Sequence, residues 1–350
     1  MSRFLAGKLK PLKEYTPGEQ PKNQKFIKLN TNESPYPPSD GVIGAITCDE
    51  VAKLRLYSDP DCTVLKEKIA GLYGVEKENV FVSNGSDDIL NFAFLAFGEK
   101  GAAYADITYG FYKVFAALHG IGSQIIPLEK DFSLDPTKYY GLNKLIAIAN
   151  PNAPTGLALD PCEIEKIALA NPDSVVLVDE AYVDFGGKSC VELTKKLDNL
   201  LVVATYSKSR SLAGARLGYA IAQKELIADL EKIKFSTNPY SINRLTLLAG
   251  EAAIDDDAYY KENCKKIIEA REYASAELSK LGFEVTDSKA NFLFARSPKI
   301  SGGELYSKLR EKGILVRHFD DERIADFNRI TVGTMSEMQA LIKAVKEILE

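Results

Sequence analysis

VVLVDEAYVDF (175–185) and, shortly after it, LVVATYSKSRSLAGARLGY (201–219) are the stretches whose reading decides the fold. Each opens on a Val/Leu/Ala run without polar–apolar alternation, so each reads as a strand buried on both faces. Each then ends in functional groups: Asp179 and Tyr182 after the first, Lys208 and Arg216 beyond the second. In an open α/β sheet, ligands settle in the crevice outside the carboxyl ends of the strands. A carboxylate and an amine delivered to that edge mark a candidate cofactor site.

Working outward, VFVSNGSDDILNFAFLAFG (80–98) reads strand, turn, helix, with Gly85 in the turn and Ser86 as a candidate N-cap. AAYADITYGFYKVFAALHG (102–120) repeats strand and helix, and SQIIPL, KLIAIAN and LGYAIA add strands. DPCEIEKIALA (160–170) is helical between two of them. This alternation predicts a three-layer α/β/α domain around a mostly parallel sheet. Residues 257–282 form a long amphipathic helix stopped by Gly282, and shorter strands and helices follow it, as in a smaller α+β domain. Residues 1–40 carry Pro11, Pro17, Pro21, Pro35, Pro37 and Pro38 and read as an extended arm. The expected division is an arm over 1–40 packing with the small domain, a large domain over 41–250 and a small domain over 251–350.

A net charge of −5 supplies no general field for nucleic acid or an anionic membrane, so any anionic substrate must be held by a few local cations. Five scattered cysteines without C-x-x-C suggest reduced thiols rather than a disulfide framework or zinc ribbon. No membrane-length or signal-like apolar run occurs, and the expectation is a cytoplasmic protein.

The candidate residues carry specific chemistry. An amine attacks an aldehyde carbon only when deprotonated, so a useful lysine sits where burial and nearby cations lower its pKa. On position alone Lys208 reads as a solvated loop lysine; the T-x-S-K context behind an apolar strand, with Arg210 and Arg216 nearby, reverses that. Asp179 closes a buried strand and needs a cationic partner, unless it caps the next helix. With only His119 and His318 in the chain, a histidine-based metal site is not expected. Gly85-Ser86-Asp87 offers a glycine turn opening a helix, whose free N–H groups attract an anion.

The pattern D-x-x-Y, then T-x-S-K, then Arg eight residues on resembles the pyridoxal-phosphate aminotransferases of the aspartate-aminotransferase-like superfamily. Within it, the chain is most similar to the histidinol-phosphate aminotransferase family. The likeness runs through KPLKEYTPG (10–18), LNTNESPYPPS (29–39), LYSDP (56–60), SNGSDD (83–88), TYGFY (108–112), NPNAPTG (150–156), GILVRHF (313–319) and NRITVGT (328–334). It implies pyridoxal 5'-phosphate as cofactor, a Schiff base on Lys208, Asp179 on the pyridine nitrogen and Tyr182 donating to the phenolic oxygen. Keeping that nitrogen protonated is what makes the cofactor an electron sink.

The resemblance further implies a phosphate cup from Gly85, Ser86, Asp87, Thr205, Ser207 and Arg216, and Tyr109 stacked on the pyridine ring. Locally, Tyr109 reads equally as a core aromatic opening a helix. Tyr57 is implied to reach the phosphate from the neighbouring subunit of a homodimer. Tyr15, Asn291, Arg317 and Arg329 match positions lining the substrate pocket, although Arg317 reads equally as part of an exposed strand edge. The implied reaction moves an amino group between histidinol phosphate and 2-oxoglutarate, giving imidazole-acetol phosphate and glutamate, a step of histidine biosynthesis. Alternatives sharing most of the site are an aromatic amino acid aminotransferase and a decarboxylase of a phosphorylated amino acid.

One position departs from the family pattern. Where Asn usually precedes P-T-G and donates to the phenolic oxygen, this chain has Ala153. Asn152 is one residue along the loop and is expected to point elsewhere. With one donor fewer, the lysine–cofactor imine is expected to titrate at higher pH. GGKS (186–189) and GIGSQI (120–125) fail as a P-loop and a dinucleotide fingerprint, because Tyr182 and Ile125 occupy required glycine positions.

Overall fold

The computed structural model describes residues 2–16, 18–21 and 26–350; Pro17 of the proposed arm lies outside the described residues. The large sheet has seven strands in the order Val80–Ser83, Gly218–Ile221, Leu200–Thr205, Val176–Asp179, Leu145–Ala149, Ala102–Ala105, Ser123–Ile126. Six run in one direction; Gly218–Ile221 is antiparallel to both neighbours.

The absence of alternation has a simple cause. Val176 and Val178 point into one apolar layer with Leu65 and Ile69 of helix Thr63–Tyr73 and Ile164 and Ile167 of helix Pro161–Leu169. Leu177, from the same strand, enters the opposite layer with Ile89 and Leu90 of helix Ser86–Phe97, Phe115 of helix Phe111–His119 and Leu230 of helix Lys224–Thr237. Leu200 and Val202 against Leu201 and Val203 repeat the division one strand over. Both faces are covered, so each successive side chain is apolar; each fully buried Leu or Val contributes roughly 1.5–3 kcal/mol.

The 24-residue helix Asp257–Lys280 leads to a second, four-stranded antiparallel sheet ordered Arg317–His318, Phe327–Thr331, Phe292–Arg296, Glu284–Val285. Its core, with Phe292, Leu293, Ile330 and Leu341, also takes in Leu29 from the N-terminal segment and Tyr182 and Phe185 from beyond the central strand of the large sheet. Ile27–Lys28 pairs in parallel with Ile314–Leu315, and Thr331 N–H donates to Leu29 O, so the segment leading to residue 32 is fastened to this sheet.

Candidate active site

Six of the seven large-sheet strands present their carboxyl ends on one edge, and the reversed strand begins there: Ser83 and Thr205 both pair with Gly218. A cavity of about 330 Å³ lies at this edge. Asp179, Tyr182, Thr205, Ser207, Lys208 and Arg216 reach its wall from the central strands and the chain beyond them. Ser86, Asp87 and Tyr109 reach it from the two βα turns, and Tyr15, Arg317 and Arg329 from the arm and the small sheet.

Gly85, rather than Ser86, is the N-cap of helix Ser86–Phe97, a correction with a conformational reason. Gly85 holds φ +86°, which side-chain-bearing residues rarely adopt, and a Cβ there would meet Arg216 Nη2 at 2.7 Å. Ser86 is thereby the first helical residue, and its N–H belongs to the set without an intrahelical acceptor. Gly218 matters equally, because a Cβ on it would stand 2.4 Å from Ser86 N. The helix start is seated directly on sheet backbone.

Around that start, Arg216 Nη2 donates to Asp87 Oδ2 (3.1 Å), Tyr109 Oη donates to Asp87 Oδ1 (2.6 Å), and Arg216 Nη1 lies 3.5 Å from Ser207 Oγ. Thr205 Oγ1 accepts from Ser207 N–H at 3.1 Å. The Asp87 side chain therefore orients Arg216 and Tyr109, while backbone amides, hydroxyls and the guanidinium lie together where they could hold an anion.

Asp179 is 5% exposed; its Oδ2 accepts from Tyr112 Oη (3.0 Å) and its Oδ1 from Ala181 N–H (3.2 Å). Burial pushes its pKa up to about 6 against these two donors. Its neighbour Glu180 turns away, accepting from Cys190 N–H and Ser189 Oγ. Lys208 Nζ reaches Thr31 O at 3.3 Å; burial, then the positive charge of Arg329, lowers it to about 8. A carboxylate short of a cation and an amine near neutrality face one cavity. Together with that group of donors they fit pyridoxal phosphate, whose ring nitrogen, aldehyde and phosphate need these three environments. Among the described residues no cluster of His, Cys, Asp and Glu is arranged to hold a metal.

Arg317 and Arg329 sit opposite each other on antiparallel strands. Neither has a carboxylate partner among the described residues: Arg317 Nη2 bonds Thr16 O (3.3 Å), Arg329 Nη2 bonds Asn30 O (3.0 Å), and Arg329 Nε is buried without an acceptor. Tyr15 stacks on Phe111 at 4.3 Å, holding the arm against the large domain.

Three expected residues are not on this wall: Gly85, whose part is to turn the chain into the helix start, Asn291 and Tyr57. Asn291 is fully buried behind it, donating from Nδ2 to Asn32 O at 3.0 Å. Tyr57 is 80% exposed and stacks on Tyr240 at 4.4 Å. Asn152 faces away, as expected: its Oδ1 accepts from Thr108 Oγ1, and its Nδ2 donates to Ile107 O and Thr155 Oγ1. Ala153 lines the cavity in its stead.

Sequence reasoning missed Tyr112 and the run Asn30-Thr31-Asn32. Tyr112 was findable, since it stands in the first turn of the helix that begins two residues after Tyr109. The arm residues were not: Thr31 acts through its backbone carbonyl, and Asn32, at φ +56° and 1% exposed, donates from Nδ2 to Tyr182 Oη at 3.0 Å.

The model of aminotransferase classes I and II matches residues 24–345. Histidinol-phosphate aminotransferase of Brachyspira hyodysenteriae is 49% identical, and that of Clostridium acetobutylicum 48% identical, each matching 100% of both chains. The solved histidinol-phosphate aminotransferase of Sinorhizobium meliloti, in complex with pyridoxal-5'-phosphate, superposes with a TM-score of 0.85 at 25% identity, over 93% of this chain and 92% of that one. Motif order, sheet topology and full-length similarity agree: the chain belongs to the class I and II aminotransferases, in the histidinol-phosphate aminotransferase family.

Proposed function

We propose that the protein uses pyridoxal 5'-phosphate to transfer the amino group of L-histidinol phosphate to 2-oxoglutarate, giving imidazole-acetol phosphate and glutamate in histidine biosynthesis. The observation that carries the substrate choice is the Arg317–Arg329 pair. Like charges directly opposite on antiparallel strands repel, and no acid of the described chain balances them. A phosphate dianion answers two adjacent guanidinium forks, whereas a carboxylate brings half the charge. The names borne by the full-length relatives support the same reading.

Bound pyridoxal phosphate supplies an aldehyde carbon that accepts amino groups and a protonated ring that draws electrons from the adjoining bonds. The chain's residues do the rest. Arg216, the amides at Ser86 and Asp87 and the hydroxyls of Thr205 and Ser207 hold the cofactor phosphate, and Tyr109 covers the ring. Asp179 keeps the proton on the ring nitrogen, and Tyr182 donates to the phenolic oxygen. Lys208 Nζ, close to neutrality, takes the proton from the substrate carbon bearing the amine. Arg317, Arg329 and Tyr15 hold the substrate phosphate, with Asn291 supporting the wall from behind.

The working unit in this reading is a homodimer. Ile43, Ile46, Val51, Leu54, Leu56 and Tyr57 are exposed along one stretch of chain, which supports a covered face there and Tyr57 reaching the neighbour's phosphate cup. Five free thiols support a reducing, cytoplasmic setting, and among the described residues no helix is long and apolar enough to cross a membrane.

The test mixes cofactor-loaded protein with histidinol phosphate alone and follows the visible cofactor band. The expected result is rapid loss of the band, with phenylalanine and histidinol far slower. A faster response to aromatic amino acids moves the function to an aromatic aminotransferase, and release of carbon dioxide from a phosphorylated amino acid moves it to a decarboxylase.

A further inference from the structure

Tyr182 has a hydroxyl that can either give or take a hydrogen bond, and only the first serves a phenolic oxygen carrying negative charge. The structure resolves that ambiguity through a chain of bonds starting at a group that can only donate. The backbone N–H of Asn32 donates to Thr331 Oγ1 at 2.9 Å. Thr331, 2% exposed, still carries a proton of its own, and its one acceptor among the described residues is Asn32 Oδ1 at 3.0 Å; with the amide turned over, that buried proton would have none. That bond fixes which end of the Asn32 amide is oxygen, and leaves Nδ2 to donate to Tyr182 Oη at 3.0 Å. Tyr182 therefore accepts from behind, and its proton is free to point into the cavity; among the described residues the hydroxyl donates to no one.

The chain is rigid as well as directed. Asn32 and Thr331 are 1% and 2% exposed, and Asn291 Nδ2 holds the Asn32 carbonyl at 3.0 Å. Asn32 sits at φ +56°, a left-handed conformation that Asn and Asp tolerate better than most residues. The Tyr182 ring is wedged edge-on against Phe292 at 5.0 Å. The charged groups facing Tyr182 are Arg329, Asp179 and Asp87, with Lys208 Nζ 5.8 Å from its ring centroid. Ala153, on the same wall, has no side-chain donor to share that contact with Tyr182.

We propose that Asn32 is a positioning residue that sets the direction of the Tyr182 proton, so that the hydroxyl donates into the cavity toward the cofactor's phenolic oxygen. This rests on the pyridoxal-phosphate reading above. It also ties cofactor chemistry to the small sheet, because Thr331 belongs to strand Phe327–Thr331. Asn32→Asp keeps shape and backbone tolerance but replaces the donor with an acceptor. Its carboxylate accepts from Thr331 and Tyr182 alike, turning the tyrosine proton away from the cavity.

The experiment is a pH titration of the visible band in the loaded wild type, Asn32→Asp, Tyr182→Phe and the double variant. Asn32→Asp is expected to raise the midpoint by about one unit, the size of a lost hydrogen bond to a charged oxygen. Tyr182→Phe is expected to raise it similarly, and the double variant no further than Tyr182→Phe alone. A midpoint for Asn32→Asp equal to wild type overturns the proposal. So does an Asn32→Asp shift that survives undiminished in the Tyr182→Phe background, which would mark a plain charge effect. Should Asn32→Asp not fold, Thr331→Val decides: it frees the amide to turn over and is expected to give a smaller rise that vanishes in the Tyr182→Phe background. No rise overturns the proposal. If Tyr182→Phe leaves the midpoint unchanged, the role of Tyr182 fails and the proposal with it; absence of any visible band in wild type overturns the cofactor reading itself.

Discussion

In protein purified without cofactor, Asp179 is a 5%-exposed carboxylate held by one hydroxyl and one backbone N–H, with no cation bonded to it among the described residues. Burial raises its pKa from 3.8 to about 6. A carboxyl group whose folded pKa lies above the unfolded value binds extra protons when folded, so stability falls as pH rises from about 4 to about 6 and stays reduced above that. The shift corresponds to about 3 kcal/mol at neutral pH. Asp179→Asn mimics the protonated acid and removes this penalty. Its amide oxygen can keep the Ala181 bond while its nitrogen turns to Tyr112. Allowing about 1 kcal/mol for the imperfect exchange, the variant is expected to be about 2 kcal/mol more stable at pH 7.5, a rise on the order of 3 °C in Tm. The difference is expected to shrink toward zero by pH 4.5. With cofactor bound the order inverts, because wild type gains a buried ion pair that Asn cannot form. The variant's cofactor affinity is expected to be at least ~10²-fold weaker. Thermal melts of both proteins at the two pH values, with and without cofactor, check this. A cofactor-free variant less stable than wild type at pH 7.5, or a difference that persists unchanged in acid, would refute the reasoning.

Gly218→Ala places a methyl 2.4 Å from Ser86 N and must displace the helix start; a loss of about 1–3 kcal/mol in denaturant stability is expected, with weaker cofactor binding in an equilibrium titration. Ala153→Asn adds an amide donor at the cavity wall and is expected to lower the midpoint of the visible-band titration by about one unit. Arg317→Gln leaves one fork of the cationic pair; KM for the phosphorylated amine is expected to rise by about 10–100-fold, with a much smaller change for amines carrying only a carboxylate, read from steady-state kinetics. Equal changes for both substrate classes would count against the dianion argument.

The strand ends at 175–185 and 201–219 were legible because burial on both faces of a sheet leaves no room for polar positions, and the functional groups interrupt that rule abruptly. The glycine turn at 85, the helix within 160–170 and the long helix after residue 257 were legible for similarly local reasons: backbone conformation and helical spacing are written within a few residues of where they act. The composition of the site, a carboxylate, an amine and a set of cations, was therefore available before any coordinate. What the chain by itself did not contain was the partnership across distance. Asn32 meets Thr331 nearly three hundred residues away, Arg317 meets Arg329 only through a strand register, and Ser86 requires Gly218 because two backbones approach too closely for a side chain. Such contacts follow from how the layers close on one another. Hydrogen-bond direction, like-charge opposition and backbone clearance are properties of pairs, and a pair exists only once the fold has brought its members together.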